Sequence, residues 1–474
     1  MQICLATAHC KPAFIPLALL YLKACLVEQQ GFRDDEVTIL EFGPDAPAEQ
    51  IADAVLAADA DIVAFSCYVW NIRTLMRAAD GIKARRPLST IVVGGPEVGP
   101  VAASTLERYP AIDVVVKSEG EGPFCAIAER RRAGLDLDEV AGICLRRDGA
   151  IVDTGDAPIL RDLNVLASPH TDRFATTGKR VVCVETQRGC VFRCSFCFYN
   201  KDLSIRNRRF DLERVTREIG FWLERDAVEL YLMDPVFNLN AERAKEICRF
   251  IAAHNHRQIP VHTEVWAEFI DDELASLMRD AQFRYIEVGL QTTDDNVLAT
   301  VERRLRLQKF IDGIACLRKY GLPFEVQLIY GLPGETRETF RKSLNFAASL
   351  DPSVLSVFPL MVLPGTELWR KAEGLDLAYD AEPPYYVRSH FSMGEDDIRY
   401  GWRVNEALDW LEPFHTIRFL RREPGISYAD VVDEWIASRP DSLAAFVERL
   451  CAKNDIPPEF YRASASVEST STRG

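Results

Sequence analysis

The sequence predicts an α/β protein with two successive parallel sheets and a mixed, mostly helical C-terminal region. Short apolar runs alternate with helical stretches over residues 1–135, and a second alternating series begins near Val181. From about Trp369 onward the pattern becomes mixed and helical. Strands separated by helical segments form a parallel sheet that is covered on both faces. The predicted fold class is therefore a doubly wound sheet followed by a second α/β unit.

The first series predicts a Rossmann-type domain over residues 1–140. Its strand candidates lie at 2–7, 36–41, 62–66, 90–94 and 114–117, and helical stretches such as 48–58 lie between them. In open sheets of this kind, ligands bind beyond the carboxyl ends of the strands. Small residues and glycines dominate at those ends, which permits close approach of a bulky ligand.

A connector and a second α/β unit follow. Residues 141–178 are interpreted as a hairpin and linker, because Asp148-Gly149 is a strong hairpin-turn signal. The next strand candidates lie at 181–186, 228–234, 261–266, 285–289, 324–330 and 354–362. Six strand–helix units over 179–368 predict a partial (β/α)6 barrel, which collects chemistry at the carboxyl ends of its strands.

The C-terminal part is predicted to be a separate domain over 369–461, followed by a disordered tail over 462–474. The tail is rich in Ser and Thr and has no apolar periodicity. The domain is expected to close over the barrel. Four aromatic or His side chains are candidates for lining a substrate pocket there, with ordinary packing as the alternative: Tyr385, Tyr386, His390 and Trp402.

The composition indicates a globular protein from a reducing compartment. The chain of 474 residues is 48% apolar and 27% charged, and its net charge is −15. Nucleic-acid binding depends on neutralising phosphates with Lys and Arg, so this balance favours small-molecule or protein substrates. The 13 cysteines follow no disulfide framework. The apolar run at 12–22 is too short to cross a bilayer and has no basic leader. We expect a cytoplasmic protein that contacts neither membrane nor nucleic acid.

The strongest motif is a group of three cysteines, Cys190, Cys194 and Cys197, in a loop directly after a predicted strand. Cysteine thiolates are the usual ligands of iron–sulfur clusters, and three ligands leave one iron of a four-iron cluster open. A structural zinc site is the alternative, but it requires four ligands. Cys183 could be proposed as a fourth ligand, although its alternation with apolar neighbours favours a core or barrel-lining position.

This motif at the end of a first barrel strand resembles that of the radical S-adenosylmethionine (SAM) superfamily. Several further phrases resemble those of the cobalamin-binding-domain members, in particular the group with a C-terminal domain of unknown function. They are Val69-Trp70-Asn71, Val92-Val93-Gly94-Gly95-Pro96-Glu97, Ser118-Glu119-Gly120-Glu121, Asp234-Pro235-Val236-Phe237-Asn238, Gly289-Leu290-Gln291, Gly331-Leu332-Pro333-Gly334-Glu335-Thr336 and Leu363-Pro364-Gly365-Thr366.

The resemblance implies a 4Fe-4S cluster on the three cysteines, where one electron splits SAM into methionine and a 5'-deoxyadenosyl radical. It places SAM contacts at Phe196, Asp234, Glu264, Gln291, Tyr330 and Gly331. It places cobalamin contacts at Ser66, Tyr68, Gly94, Gly95, Pro96, Glu97, Glu119 and Gly120. The Asp-x-His-x-x-Gly loop of well-known cobalamin domains is absent. His9 is therefore either a cobalt ligand or an ordinary loop or core residue, and cobalamin binding itself stays open.

The resemblance implies a cobalamin-dependent methyltransferase that acts on an unactivated carbon of a small molecule. A cobalamin-dependent radical oxidoreductase or cyclase is the alternative. An RNA-modifying enzyme is less favoured, because the cysteines of the front domain are isolated. A non-enzymatic sensor has no need for an open iron. An electron donor such as a flavodoxin or ferredoxin is the expected protein partner.

Overall fold

The computed structural model describes residues 1–175, 178, 180–200, 207–412, 420–421, 425–438 and 443–454. The predicted tail at 462–474 lies outside these residues. Among the described helices, none is long and apolar enough to cross a membrane.

The front part is a seven-stranded sheet with the order β2-β1-β3-β4-β5-β6-β7. Neighbouring strands from β2 to β5 pair in parallel, while β6 and β7 form an antiparallel hairpin at one edge. The hairpin turns at Asp148 (φ 48°) and Gly149 (φ 81°), as predicted. The strands are β1 (Ile3–Ala8), β2 (Val37–Phe42), β3 (Ile62–Ser66), β4 (Thr90–Gly94), β5 (Val114–Val116), β6 (Ile143–Arg147) and β7 (Ala150–Asp153). The helices are α1 (Leu17–Gln29), α2 (Ala48–Ala57), α3 (Ile72–Arg85), α4 (Ala102–Arg108) and α5 (Glu121–Arg132).

The central part is a six-stranded parallel sheet with the order β15-β14-β13-β12-β11-β8, as the partial barrel predicts. Its strands are β8 (Arg180–Val184), β11 (Ala227–Leu232), β12 (Val261–Val265), β13 (Phe283–Gln291), β14 (Glu325–Tyr330) and β15 (Val354–Pro359). A short ribbon pairs β9 (Gln187–Arg188) with β10 (Arg208–Arg209). The helices are α6 (Leu212–Leu223), α7 (Ala241–His254), α8 (Asp272–Asp280), α9 (Asp295–Thr300), α10 (Leu307–Lys319) and α11 (Arg337–Ser349).

The described C-terminal part is mainly helical. Its helices are α12 (Glu367–Lys371), α13 (Glu395–Leu411), α14 (Tyr428–Ser438) and α15 (Leu443–Lys453), and a small ribbon pairs β16 (Ala378–Tyr379) with β17 (Val387–Ser389). Helix α13 packs so closely on the barrel that a Cβ at Gly401 would lie 1.8 Å from the Tyr330 ring. This contact fixes α13 beside the carboxyl end of β14.

The loop after β1 joins the two sheets. Phe14 forms a parallel bridge with Val181, the second residue of β8. The Val181 N–H donates to the Ala13 carbonyl (2.9 Å), and the Ile15 N–H donates to the Val181 carbonyl (3.1 Å). One continuous hydrophobic core includes apolar side chains of both sheets, while a second core covers the opposite face of the front sheet. The front sheet and the barrel are therefore packed as one body at this junction.

Candidate functional site

The inner face of the barrel is polar because side chains alternate along each strand. In β13, for example, Ile286 and Val288 are buried towards the helices, whereas Glu287 and Gly289 occupy the alternate positions. In β12, His262 and Glu264 share the inner face in the same way. This alternation collects ionisable groups inside the barrel.

A cavity of about 530 Å³ lies between this inner face and the carboxyl ends of the front strands. The front domain contributes residues of four strand ends, including Thr7, Ser66, Gly94 and Ser118. The barrel contributes Cys183, Glu185, Tyr231, Met233, His262 and Glu287. A molecule in this cavity would therefore contact both sheets at once.

Arg188 ties the two sides of the cavity together. Its guanidinium lies 2.7 Å from Glu121 of α5 and 2.9 Å from Glu185 at the end of β8. Burial raises the pKa of the Glu185 carboxyl, and the neighbouring Arg188 charge opposes that shift. A buried carboxylate is costly unless it is paired. Arg188 therefore stabilises two carboxylates that come from different sheets.

His262 anchors a second ionic network deeper in the barrel. Its Nδ1 lies 3.0 Å from Glu229 and its Nε2 lies 2.7 Å from Glu287, while the Tyr231 ring stacks on it at 4.2 Å. Burial alone would lower the imidazole pKa, but the hydrogen bonds to the two glutamates outweigh it and raise the pKa to about 9. The ring is therefore a buried imidazolium at neutral pH.

The cysteine loop is held at the top of the barrel by contacts from three segments. The Ser195 N–H donates to the Val301 carbonyl (2.9 Å), and the Leu368 N–H donates to the Ser195 carbonyl (2.8 Å). Arg303 donates to the Cys194 sulfur (3.4 Å), and its guanidinium lies 4.4 Å from the centre of the Trp266 ring. The loop is thus fixed by residues far away in sequence.

The three thiols are electrostatic neighbours. Burial, together with the neighbouring Cys194 and Cys190, raises the pKa of Cys197 to about 12, and the Tyr199 N–H opposes this shift. Burial also raises the pKa of Cys190, whereas the Phe192 and Val191 N–H groups lower it. Such N–H groups favour thiolate over thiol, which fits a cluster-binding loop.

The described residues contain no group of three or more His, Cys, Asp or Glu side chains that could hold a single metal ion. A four-iron cluster is larger than one ion, so its thiolates lie further apart than the ligands of a mononuclear site. The ligand role of Cys190, Cys194 and Cys197 stays a prediction.

Asp234 lies where the sequence placed it, but its carboxylate is already used inside the protein. It is 1% exposed and accepts hydrogen bonds from the N–H groups of Thr186 (2.8 Å) and Gln187 (3.1 Å) and from the Thr186 hydroxyl. Both oxygens are engaged, so a direct SAM contact is not supported. Asp234 instead positions the strand end that leads into the cysteine loop.

Gln291 agrees better with its predicted SAM contact. It adopts φ 71°, in the left-handed region that non-glycine residues rarely use, and it follows an irregularity in the pairing of β13 with β14. Its side chain folds back over Gly289, and its Oε1 is buried without a hydrogen-bond partner among the described residues. A strained residue with an unpaired oxygen is typical of a ligand site.

Glu264 lies close to the cysteine loop. Burial and the nearby Glu287 charge raise the pKa of Glu264 to about 7, although a hydrogen bond from the Tyr231 hydroxyl (3.2 Å) lowers it. The charge of Glu264 also raises the pKa of Cys197. A buried carboxyl group in this environment suits a cationic group of a bound cofactor, which agrees with the predicted SAM contact of Glu264.

Tyr330, a predicted SAM contact, lies at the end of β14, but its side chain does not face the interior of the barrel. Its ring is buried against Phe340, and its hydroxyl donates to the Asp397 carbonyl on α13. The alternation along β14 puts it on the outer face, so it anchors the C-terminal part. Gly331 is at the strand end with φ 85°, and its N–H donates to Glu335 (2.9 Å). Phe196 is half-buried and packs on the main core.

Five of the eight predicted cobalamin contacts line the cavity: Ser66, Tyr68, Gly94, Gly95 and Gly120. The other three do not. Glu97 is buried and accepts a hydrogen bond from the Tyr385 hydroxyl. Glu119 forms an ion pair with Arg208 (2.5 Å). Pro96 is not part of the cavity lining. At Gly95, a Cβ would lie 2.5 Å from the Cys67 carbonyl, so this glycine is required by the protein's own backbone.

The remaining predictions near the cavity have mixed outcomes. His9 lines the cavity, and its Nε2 lies 2.8 Å from Glu41. None of the four predicted C-terminal pocket residues lines it. The Tyr385 hydroxyl donates a hydrogen bond to Glu97. The Tyr386 and Trp402 rings pack edge to face, with their centres 4.6 Å apart. His390 is buried beside Ser392.

Sequence reasoning missed four residues that shape the site, namely Arg188, His262, Arg303 and Glu335. Arg188 lies two residues before Cys190, the first cysteine of the motif, so its position in the sequence could have revealed it. His262 was detectable as a charged residue inside an apolar strand pattern. Arg303 is distant from the motif in sequence and had no local signal.

The comparisons with known proteins agree with this geometry. The pattern of the radical SAM superfamily matches residues 184–347, and that of the B12 binding domain matches residues 3–128. The chain is a radical SAM protein with a B12 binding domain. The first domain implies a 4Fe-4S cluster and SAM as cofactors, and the second implies cobalamin.

This radical SAM protein is 26% identical over 367 residues to an uncharacterized methyltransferase of Pyrococcus horikoshii, covering 75% of this chain and 78% of the relative. It is 28% identical over 440 residues to the cobalamin-dependent radical SAM methyltransferase TokK of Streptomyces tokunonensis, covering 84% of this chain and 64% of that protein. The solved structure of the methyltransferase TsrM from Kitasatospora setae, with cobalamin and a [4Fe-4S] cluster bound, has a TM-score of 0.66 at 19% identity and covers 81% of this chain and 82% of that one.

Proposed function

We propose that this protein is a cobalamin-dependent methyltransferase that moves the methyl group of SAM to an unactivated carbon of a small molecule. The observation that carries the proposal is the shared cavity, since its walls are the carboxyl ends of the front strands and the inner face of the barrel. When bound, the cluster supplies the electron that cleaves SAM, and cobalamin carries the methyl group.

The chain's own residues have separable parts in this function. Cys190, Cys194 and Cys197 hold the cluster, while Arg303 donates to one of these sulfurs and Asp234 fixes the strand end that leads into the loop. Gln291 and Glu264 offer an unpaired oxygen and a buried carboxyl for SAM.

The front domain supplies the other wall of the cavity. Gly94 and Gly120 leave space at its strand ends, and the stacked rings of Tyr68 and Trp70, 4.4 Å apart, give a flat apolar surface. These groups suit a large planar ligand. Arg188 keeps the two walls together.

The substrate is proposed to be a small molecule. TokK and TsrM are methyltransferases by name, and a TsrM structure is described with a tryptophan substrate. The 13 free cysteines favour a reducing compartment, so we place the enzyme in the cytoplasm.

The test uses the reconstituted protein with hydroxocobalamin, a chemical reductant and SAM labelled in its methyl group. A methyltransferase forms S-adenosylhomocysteine, and label comigrates with the protein-bound corrinoid even before a substrate is known. A cobalamin-dependent oxidoreductase or cyclase forms 5'-deoxyadenosine without S-adenosylhomocysteine or label transfer. That second outcome would replace the methyltransferase proposal with the alternative.

A further inference from the structure

A basic surface surrounds the outer side of the cysteine loop. Three segments contribute to it: the loop itself, the stretch from α9 into α10, and α12. Their exposed cations are Arg193, Arg304, Arg306, Lys309, Arg370 and Lys371, and exposed apolar side chains among them are Val191, Leu307 and Trp369. We call these nine residues the cluster-side surface.

Direct contacts bring the three segments together. Glu302 lies 2.6 Å from Lys371 and 3.9 Å from Arg193, so one carboxylate links all three. The backbone bonds from Ser195 to Val301 and from Leu368 to Ser195 join the same segments. The cluster-side surface is therefore one continuous feature of the fold.

The charge of this surface is opposite to that of the chain. The whole protein carries 56 basic and 71 acidic residues. Here, four of the six exposed cations, Arg193, Arg306, Arg370 and Lys371, are paired with three carboxylates, Glu268, Glu302 and Glu367. Arg304 and Lys309 are exposed and have no ion pair among the described residues. A positive region on an acidic protein attracts an acidic partner and speeds its association.

The surface also includes residues that adjoin the cysteine motif or its Arg303 contact in the sequence. Arg193 stands between Cys190 and Cys194 in the sequence, and Arg304 adjoins Arg303, which donates to the Cys194 sulfur at 3.4 Å. None of its nine side chains lines the cavity between the two sheets. A protein bound here would approach the cluster from outside and leave the cavity open for substrate.

We propose that the cluster-side surface docks a small, acidic one-electron carrier of the flavin type. In the step it serves, the reduced carrier loses one electron and the oxidised cluster gains it, with no bond or proton transferred in the complex. Weak redox complexes bury little area, and long-range charge attraction brings the partners together. The exposed Val191 and Trp369 add apolar side chains to the cluster-side surface. The inference rests on the proposed function, because only a cluster that must be reduced needs such a partner.

The test compares two double variants with equal charge change. Arg304→Glu/Lys309→Glu alters the cluster-side surface without touching the residues assigned to cluster, SAM or cobalamin. Arg279→Glu/Arg284→Glu is the control. Arg279 lies on α8, just before β13, and Arg284 is the second residue of β13, so both exposed side chains lie at the opposite end of the barrel. The probe is an oxidised, acidic flavodoxin, titrated calorimetrically into the reconstituted protein at low and high salt.

We expect the first double variant to weaken flavodoxin binding by about tenfold or more at low salt, and the control variant to leave it within about twofold. High salt should weaken wild-type binding and reduce the difference between the proteins. Reduction of the cluster by photoreduced flavodoxin, followed by its absorbance, should slow in the first variant only, while reduction by dithionite stays unchanged.

Equal binding by the first variant and wild type would overturn the docking proposal, and so would an equal loss in the control. These measurements do not depend on methyl transfer. If the protein forms no S-adenosylhomocysteine but the charge variants still behave as expected, the methyltransferase proposal fails and the docking surface stands.

Discussion

The cysteine loop allows a test in which one thiol serves as control for three others. Each of Cys190→Ala, Cys194→Ala and Cys197→Ala should lose most of the iron taken up on reconstitution, because each removes a ligand of the open cluster. Cys183→Ala should keep its iron, since that buried thiol lies on β8 within the barrel wall. Iron analysis and the visible absorbance of the cluster measure both results. Iron loss in Cys183→Ala, or retention in the other three, would contradict the ligand assignment.

Glu335 makes stability depend on pH. It is fully buried, accepts the Gly331 N–H, and burial raises its pKa to about 8. The unfolded chain releases this proton near 4.5, while the folded protein keeps it until about pH 8. Between these values the unfolded state binds fewer protons, so this group's contribution to stability falls as pH rises.

Glu335→Gln cannot ionise and should lack this loss. The free energy of unfolding of the variant should therefore rise relative to wild type between about pH 5 and 8. Denaturant unfolding across this range measures the difference. Glu338→Gln on the exposed face of α11 is the matched control and should not show the same divergence. Parallel curves for Glu335→Gln and wild type would remove Glu335 as the cause.

Helix α13 depends on one glycine for its place against the barrel. Gly401→Ala would put a Cβ 1.8 Å from the Tyr330 ring, so we expect a loss of about 1–3 kcal/mol of stability through overpacking. Gly122→Ala in α5 is the control, because nothing lies within 4 Å of its Cβ position. That variant should be stabilised by about 0.5–1 kcal/mol. Thermal and denaturant unfolding distinguish the two, and equal effects would exclude the proposed contact.

The regular elements were predictable because periodicity is local. The five front strands, the six barrel strands and the Asp148-Gly149 hairpin lie close to their predicted positions. The direction of side chains at strand ends was not predictable, because it depends on distant partners. Tyr330 turns outward to meet Gly401, and Glu97 meets Tyr385 from 288 positions further along the chain. An irregularity in strand pairing likewise sets the conformation of Gln291.

The arrangement of the two sheets creates the cavity that both sheets line. Phe14 extends the edge of the barrel sheet, Arg180 of β8 lies 2.7 Å from Glu41 of β2, and Arg188 reaches across to Glu121. Buried ion pairs contribute little net stability but disfavour other arrangements that would leave a charge unpaired. These contacts therefore fix the distance between the two cofactor domains, and the sequence alone did not reveal which residues pair across the junction.

This arrangement predicts that cobalamin stabilises the whole chain and not the front domain alone. At about 100 times its Kd, a ligand that binds only the native state adds about 2.7 kcal/mol to the free energy of unfolding. Gly94→Leu should abolish most of this gain, because Gly94 lines the cavity. A Cβ at this position would lie 3.5 Å from Val116, which is ordinary van der Waals contact. The larger side chain can therefore extend into the cavity. Its iron content should stay unchanged. Gly43→Leu is the control, since it follows β2 at the same end of the sheet, has open space and does not line the cavity. Thermal unfolding with and without hydroxocobalamin measures the shift, and undiminished stabilisation of Gly94→Leu would place cobalamin elsewhere.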